Sequence, residues 1–345
     1  MDIENKPETK FLKYIRTVGM TTMRGRGFYY PVDSAMNSGG RIYTVSRSAE
    51  KTTGDTIRVT MLNEEGEYFG IFGTKGEEDG QFMWPCGIAV DSKNQVYVTD
   101  EYLHRVSIFN ESGEFLNKWG SHGTGEGLLD APSGIAFDPE DNVYISDSRN
   151  HRIQKFSKNG DFIRSFGSFG CGDGEFNLPW GLFVNTNSEV FVADWANDRI
   201  QRFTSNGDFL AKYGPSETEK SAFTRPAGIT VDKDGYMYVA DWGNEMVKVL
   251  DPDGKFIQTL RGEATHSKWA EDFLKINLEE AQAREKANLE PKIQYFNEDP
   301  HEESSHIEKL FWGPVSVLLD NEERLFITET NRHRIQVYEK NKMIE

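Results

Sequence analysis

The chain has 345 residues, 37% hydrophobic and 12% aromatic, which is enough apolar material for a packed core and too much for a disordered chain. A formal charge of −17 sets the average surface against nucleic-acid phosphates and anionic lipid headgroups, so neither is expected as a partner. The opening MDIENKPETK lacks the apolar run of a secretory signal, no stretch approaches the roughly 20 apolar residues of a membrane span, and Cys86 and Cys171 frame no disulfide scaffold, so a cytoplasmic setting without membrane insertion is expected.

In chain order, the first element is Phe11-Leu12-Lys13-Tyr14-Ile15-Arg16-Thr17-Val18-Gly19, which matches the later stretch Phe162-Ile163-Arg164-Ser165-Phe166-Gly167. A degenerate repeat starts at Pro31 and resumes at Ile57; its proline lies 54 residues before Pro85, and the extra residues fall most simply at 49–55. Four nearly gapless copies then open at Pro85, Pro132, Pro179 and Pro226, each 47 residues after the last. A sixth opens at Pro314, 88 residues after Pro226, which leaves about 41 for an insertion.

Each copy reads as four strands. In the second copy these are the short apolar run Gly87-Ile88-Ala89-Val90, the strand Val96-Tyr97-Val98, the strand Val106-Ser107-Ile108-Phe109 and, after a Ser112-Gly113 turn, Phe115-Leu116-Asn117-Lys118-Trp119. β-Branched and aromatic runs parted by Gly, Asn and Asp mark antiparallel hairpins. Four strands with a period in the forties predict an all-β fold, a six-bladed β-propeller of four-stranded antiparallel blades. The sixth copy reaches Glu345 where its fourth strand should begin. The N-terminal strand within 10–19 is therefore expected to complete the last blade and close the ring, removing an exposed edge. Residues 1–345 thus read as one propeller domain, with a helical and acidic insertion at 263–310 between blades five and six.

Asn150-His151-Arg152-Ile153-Gln154 and Gly172-Asp173-Gly174-Glu175-Phe176-Asn177, each followed by its proline or hydrophobic run, resemble the NHL-repeat family. The resemblance covers nearly the whole chain outside the insertion and implies the propeller fold. It does not fix an activity, because the family includes scaffolds, RNA binders, lyases and signalling sensors.

Carboxylates recur fifteen residues after each proline, at Asp100, Asp147, Asp194, Asp241 and Glu329, with Ser46 in the first copy. Cations follow five further on at Arg105, Arg152, Arg199 and Arg334, with Met246 in the fifth copy and Arg58 in the first. Recurrence once per blade argues for structural pairs holding a loop, since a catalytic residue usually occurs once. His104, His151 and His333 also sit at equivalent positions. Spread around the ring, they do not converge on one ion. The resemblance to amidating lyases would require histidines facing the channel, and the innermost strands carry none. Lactonase-type propellers, similar in blade number, hold a divalent cation in the channel with Glu, Asp and Asn; here the innermost strands offer Asp33, Asn37 and Ser316, and one acid is a thin site. The glycine runs, such as Gly123-Thr124-Gly125-Glu126-Gly127, link blades and do not cradle phosphate. No catalytic residue, metal or cofactor is therefore expected.

The aromatic distribution is more informative. Strand order puts the blade-to-blade loops and the loops between strands two and three on one face, the top. Tyr30, Trp84, Trp180 and Trp312 lie beside the prolines, Trp195 and Trp242 follow the recurrent Asp, and Tyr102 joins them; Cys86, Trp180 and Ala227 should line the channel mouth. Within the insertion, residues 266–288 read as one helix with Trp269, Phe273 and Ile276 as its apolar stripe and Glu279, Glu280 and Glu285 facing solvent, followed by an acidic loop at 298–303. A non-catalytic scaffold is the expectation: a protein-binding propeller docking through its aromatic top face and insertion, as a peripheral subunit of a larger assembly such as a membrane-attached complex. A metal-dependent lyase or hydrolase with a channel site and a small-ligand sensor are the alternatives.

Overall fold

The computed structural model describes residues 10–48, 54–214, 222–292 and 299–341. Residues 49–53 of the first repeat's extra segment and Glu298 of the acidic stretch lie outside the described residues. The strands form six four-stranded sheets. Blade two is typical, with strands Pro85–Val90, Val96–Asp100, Arg105–Phe109 and Phe115–Trp119. Its second and third strands are buried along their whole length, whereas its fourth is largely exposed. That gradient explains why the inner strands read as continuous apolar runs and the outer ones alternate. The turn after the first strand is fixed by Asp91, whose Oδ1 accepts from Lys93 N (2.9 Å) and Gln95 N (2.8 Å).

Blade six consists of Pro314–Leu319, Leu325–Glu329 and Arg334–Lys340 plus the N-terminal strand Leu12–Val18. Leu12 pairs with Lys340 and Val18 with Ile335, so the beginning of the chain closes the ring. Leu12 is buried in a cluster with Tyr338 and Leu260, spanning blades five and six. Similar clusters fill the other joints; Val106 and Ile108 of blade two, for instance, pack with Ile135, Val143 and Phe156 of blade three. The propeller core is therefore built between blades.

The insertion departs from expectation in two ways. The helix expected over 266–288 is two helices, α1 (Lys268–Ile276) and α2 (Leu278–Lys286). They part at Asn277, which has non-helical backbone angles and turns its own Nδ2 onto Phe273 O (2.7 Å). The acidic segment expected as a loop forms α3 (Pro300–His306). Asp299 caps it by accepting from His301 N (2.9 Å), Pro300 suits the first turn, and Glu302 and Glu303 lie where the helix dipole favours negative charge. Among the described residues no helix is long and apolar enough to cross a membrane.

Candidate functional site

Every first strand begins at the top face, and residues from three register positions of the repeat, drawn from every blade but the third, meet there near the axis. These positions are the residue before the proline, the residue after it, and the residue sixteen after it. Together they line a cup of ≈ 440 Å³. Tyr30 and Trp84 come from the first position, Val32, Trp180, Ala227 and Val315 from the second, and Arg47, Trp195, Trp242 and Thr330 from the third. Ser48 and Asn331 finish the wall. Trp84 is 47% exposed, and the Trp195 and Trp242 rings lie 6.4 Å apart.

Sequence reasoning missed the aliphatic and polar parts of the wall, Val32, Ser48, Val315, Thr330 and Asn331, and above all its charged member, Arg47. Its guanidinium lies 5.4 Å from the Trp84 ring centre and 5.9 Å from that of Trp180, and Nη1 donates to Glu101 Oε2 (3.0 Å). Glu101 occupies the equivalent position in blade two, where burial raises its carboxyl and Arg47 counteracts part of the rise. A register comparison would have exposed Arg47, because it is the single cation in the series Arg47, Glu101, Ser148, Trp195, Trp242 and Thr330.

Below the cup the channel narrows to a throat of ≈ 60 Å³. Glycines let the innermost strands meet there: a Cβ on Gly181 would lie 2.3 Å from Ala227 O, and one on Gly134 2.4 Å from Trp180 O. Cys86 lines this throat, buried below the mouth where the sequence suggested it, and burial raises its thiol well above the ordinary range. Asp33 sits beside it. Its carboxylate accepts from Ile88 N (2.9 Å) in blade two, Ser34 N (2.8 Å) and Ser316 Oγ (2.5 Å) in blade six, so it ties three blades, and burial pushes its carboxyl up to about 6. Beneath the throat a second basin of ≈ 410 Å³ opens on the opposite face, with Asp232, Lys233, Asp320 and Glu323 in its wall.

The other aromatic candidates lie elsewhere. Tyr102 is 57% exposed and outside the cup lining. Trp312 lies under α3, where its Nε1 donates to His301 Nε2 (3.3 Å) and Arg332 stacks 5.2 Å from its ring. Trp269 does not reach the cup. It is buried against Phe28 and Tyr68, with Nε1 donating to Gly66 O (2.6 Å) in a turn between strands three and four, at the far end of blade one. Phe273 and Ile276 follow it along α1 and are exposed, Ile276 at 81%. The stripe thus has one packed member, because only the first turn of α1 meets the joint between blades six and one.

The recurrent acids and cations fix the blade-to-blade loops. Asp147 accepts from Asp130 N (2.6 Å) and Arg152 Nε (2.8 Å), while Arg152 Nη2 donates to Gly125 O and Leu128 O. Asp194 with Arg199 (2.7 Å) and Glu329 with Arg334 (2.7 Å) repeat the arrangement. Asp100 and Arg105 form no ion pair. The Asp100 oxygens are filled by the backbone N–H groups of Met83, Trp84, Tyr102 and Leu103, and Arg105 donates to the carbonyls of Glu77, Glu78 and Gln81. In blade five Lys248 replaces the missing arginine, 3.0 Å from Asp241.

The repeat histidines join neighbouring blades. Nδ1 of His104 accepts from Ala131 N (3.2 Å), that of His151 from Leu178 N (3.1 Å), and that of His333 from Tyr30 N (2.7 Å). Asp198 does the same for Arg225 N (2.7 Å) and Glu245 for Gly313 N (2.5 Å). All five acceptors have φ between 50° and 54°, a left-handed conformation that the shared hydrogen bond helps to hold. Accepting at Nδ1 requires a neutral ring, and burial lowers all three histidines, His333 to about 4. His104 and His122 also lie 3.6 and 3.7 Å from the two oxygens of Asp130, on the top rim between blades two and three. A cation held there through Nδ1 would displace the Ala131 bond.

Residues 82–109 and 129–156 match the NHL repeat. The chain is a six-bladed β-propeller carrying NHL repeats. Among solved structures it is similar to a protein of unknown function from Bacteroides thetaiotaomicron VPI-5482, at 19% identity and TM-score 0.58, over 95% of this chain and 75% of that one. It is also similar to catalytically inactive virginiamycin B lyase from Staphylococcus aureus with quinupristin, at 12% identity and TM-score 0.56, over 95% and 99%. At these identities the likeness carries the fold alone. No curated protein sequence matches the chain significantly.

Proposed function

We propose that this protein is a non-catalytic interaction propeller that captures a protein partner on its top face, the partner placing a group in the aromatic cup. The observation behind this reading is the convergence of Tyr30, Trp84, Trp180, Trp195 and Trp242 on one cavity, with a ring as large as Trp84 left half open to solvent. Pockets of this kind concentrate binding energy in a few aromatic anchors. The insertion borders the same face through α3, where His301 Nδ1 bonds Glu245 (2.6 Å) and Arg261 pairs with Glu303 (2.7 Å). A peripheral subunit, held to a larger and even membrane-attached assembly by protein contacts, fits this arrangement. Affinity capture from the native cell tests it, with the wild type, a Trp84→Ala/Trp180→Ala variant and a chain lacking 263–310. The aromatic variant should lose partners that the wild type retains; capture of the same set at the same yield would refute the reading. An unchanged set after deletion would remove the insertion from docking.

The second reading, a lyase or hydrolase using a channel metal, draws on the fold shared with virginiamycin B lyase and on Asp33, a buried acid with a raised pKa at the foot of the cup. Stoichiometric zinc or calcium in the purified protein would favour it over the first. A small-ligand sensor would use the same cup.

A further inference from the structure

The cup is apolar in its walls and carries one charge. Among its described lining residues Arg47 is the only ionised side chain; the rest are aromatic, aliphatic, hydroxyl or amide groups. This is notable in a chain of formal charge −17. Only Nη1 of the guanidinium meets a protein acceptor among the described residues, Glu101 Oε2 at 3.0 Å. Glu101 is not part of the cup lining, so it anchors Arg47 from behind and leaves the rest of the fork for a ligand.

The same geometry argues against a cationic ligand. Aromatic cages bind ammonium groups through ring faces that carry no other positive charge beside them. Here Arg47 already lies over Trp84 and Trp180, and Arg225 lies 4.9 Å from the Trp195 ring centre. A further cation would meet resident positive charge. A purely apolar group would leave the Arg47 donors desolvated and unpaired, which disfavours it.

We infer that the cup binds an aromatic carboxylate: a flat apolar body lying against the Trp84, Trp180, Trp195 and Trp242 rings, its carboxylate paired with Arg47. This deepens the proposed function and rests on the cup being the binding site. The carboxylate could belong to a small aromatic acid or to the C-terminal aromatic residue of a polypeptide. Both present the same chemistry, and the volume accommodates either.

Isothermal titration of the full chain at neutral pH and low salt decides it. The probes are naphthalene-2-carboxylate, its neutral carboxamide, and the peptide acetyl-Gly-Gly-Trp as free acid and as C-terminal amide. The wild type should bind at least one acid about tenfold or more tighter than its amide. Arg47→Gln should erase that preference and Arg47→Lys should keep part of it, with unchanged thermal melting showing that the ring is intact. Trp180→Ala should weaken acid and amide alike. Tight binding of the peptide acid assigns the source to a polypeptide terminus; binding of the naphthoate alone assigns it to a small molecule. Equal affinity for acid and amide, or no binding of any probe, overturns the inference. In either case, if capture of partners still depends on Trp84 and Trp180, the interaction reading stands without it; if capture is also indifferent to them, both fall.

Discussion

His333 makes the ring's closure sensitive to acid. Its Nδ1 accepts the Tyr30 N–H across the joint between blades six and one, and its ring stacks 5.5 Å from Tyr29 and meets Tyr30 edge-on at 4.7 Å. Burial lowers its pKa from 6.5 to about 4. The folded state therefore resists a proton that the unfolded chain accepts, so this contribution is complete above pH 6.5 and fades as the pH falls from there toward 4. Linkage between those two values gives a loss of about 2 kcal/mol on going from pH 8 to pH 5. Asp198 shows that a short side chain reaches the equivalent N–H in blade four, at 2.7 Å, and Asn tolerates left-handed backbone, so His333→Asn should keep the bond without titrating. Chemical denaturation of wild type and variant at both pH values is the assay. The variant should lose about 2 kcal/mol less than the wild type, and because Asp33, His104 and His151 titrate in both chains, the difference isolates His333. Parallel losses would refute the reasoning.

Other parts of the ring can be tested as directly. Trp269→Ala removes a fully buried indole from the joint between blades six and one and should lower unfolding free energy by about 3–5 kcal/mol in a urea titration; a change below about 1 kcal/mol would mean that α1 is ornamental. Gly181→Ala drives a methyl onto the backbone of blade five and should cost about 2–3 kcal/mol, whereas a neutral result would show that the throat has slack. Deleting residues 1–19 strips Leu12–Val18 from blade six and leaves Arg334–Lys340 as an open edge, so the melting temperature should fall by well over about 10 °C with aggregation on heating. An unshifted melt would show that the ring holds without its N-terminal strand.

The architecture was legible because it is repeated. Four prolines at a fixed interval, the two degenerate copies at Pro31 and Pro314 and a matching strand at the N-terminus define blade number and closure without any contact being known. Single-copy features were harder to read. The insertion has no second copy to compare with, so the break at Asn277 and the helix beginning at Pro300 were invisible to composition. Periodicity put Trp269, Phe273 and Ile276 on one stripe but could not say that the ring surface ends after the first turn. Arg47 was overlooked for the opposite reason: attention to what recurs hides the position where one repeat departs from its siblings. The histidines recur visibly, yet their use as acceptors depends on a left-handed backbone at both ends of the bond, which only the folded loops reveal.

The throat has a consequence for traffic through the molecule. At ≈ 60 Å³ it has room for a few water molecules and nothing larger. Among the described residues the throat thus closes the cup from below, and whatever settles among the indoles leaves by the top face. The basin on the far side, ringed by its own lysine and acids, keeps separate company.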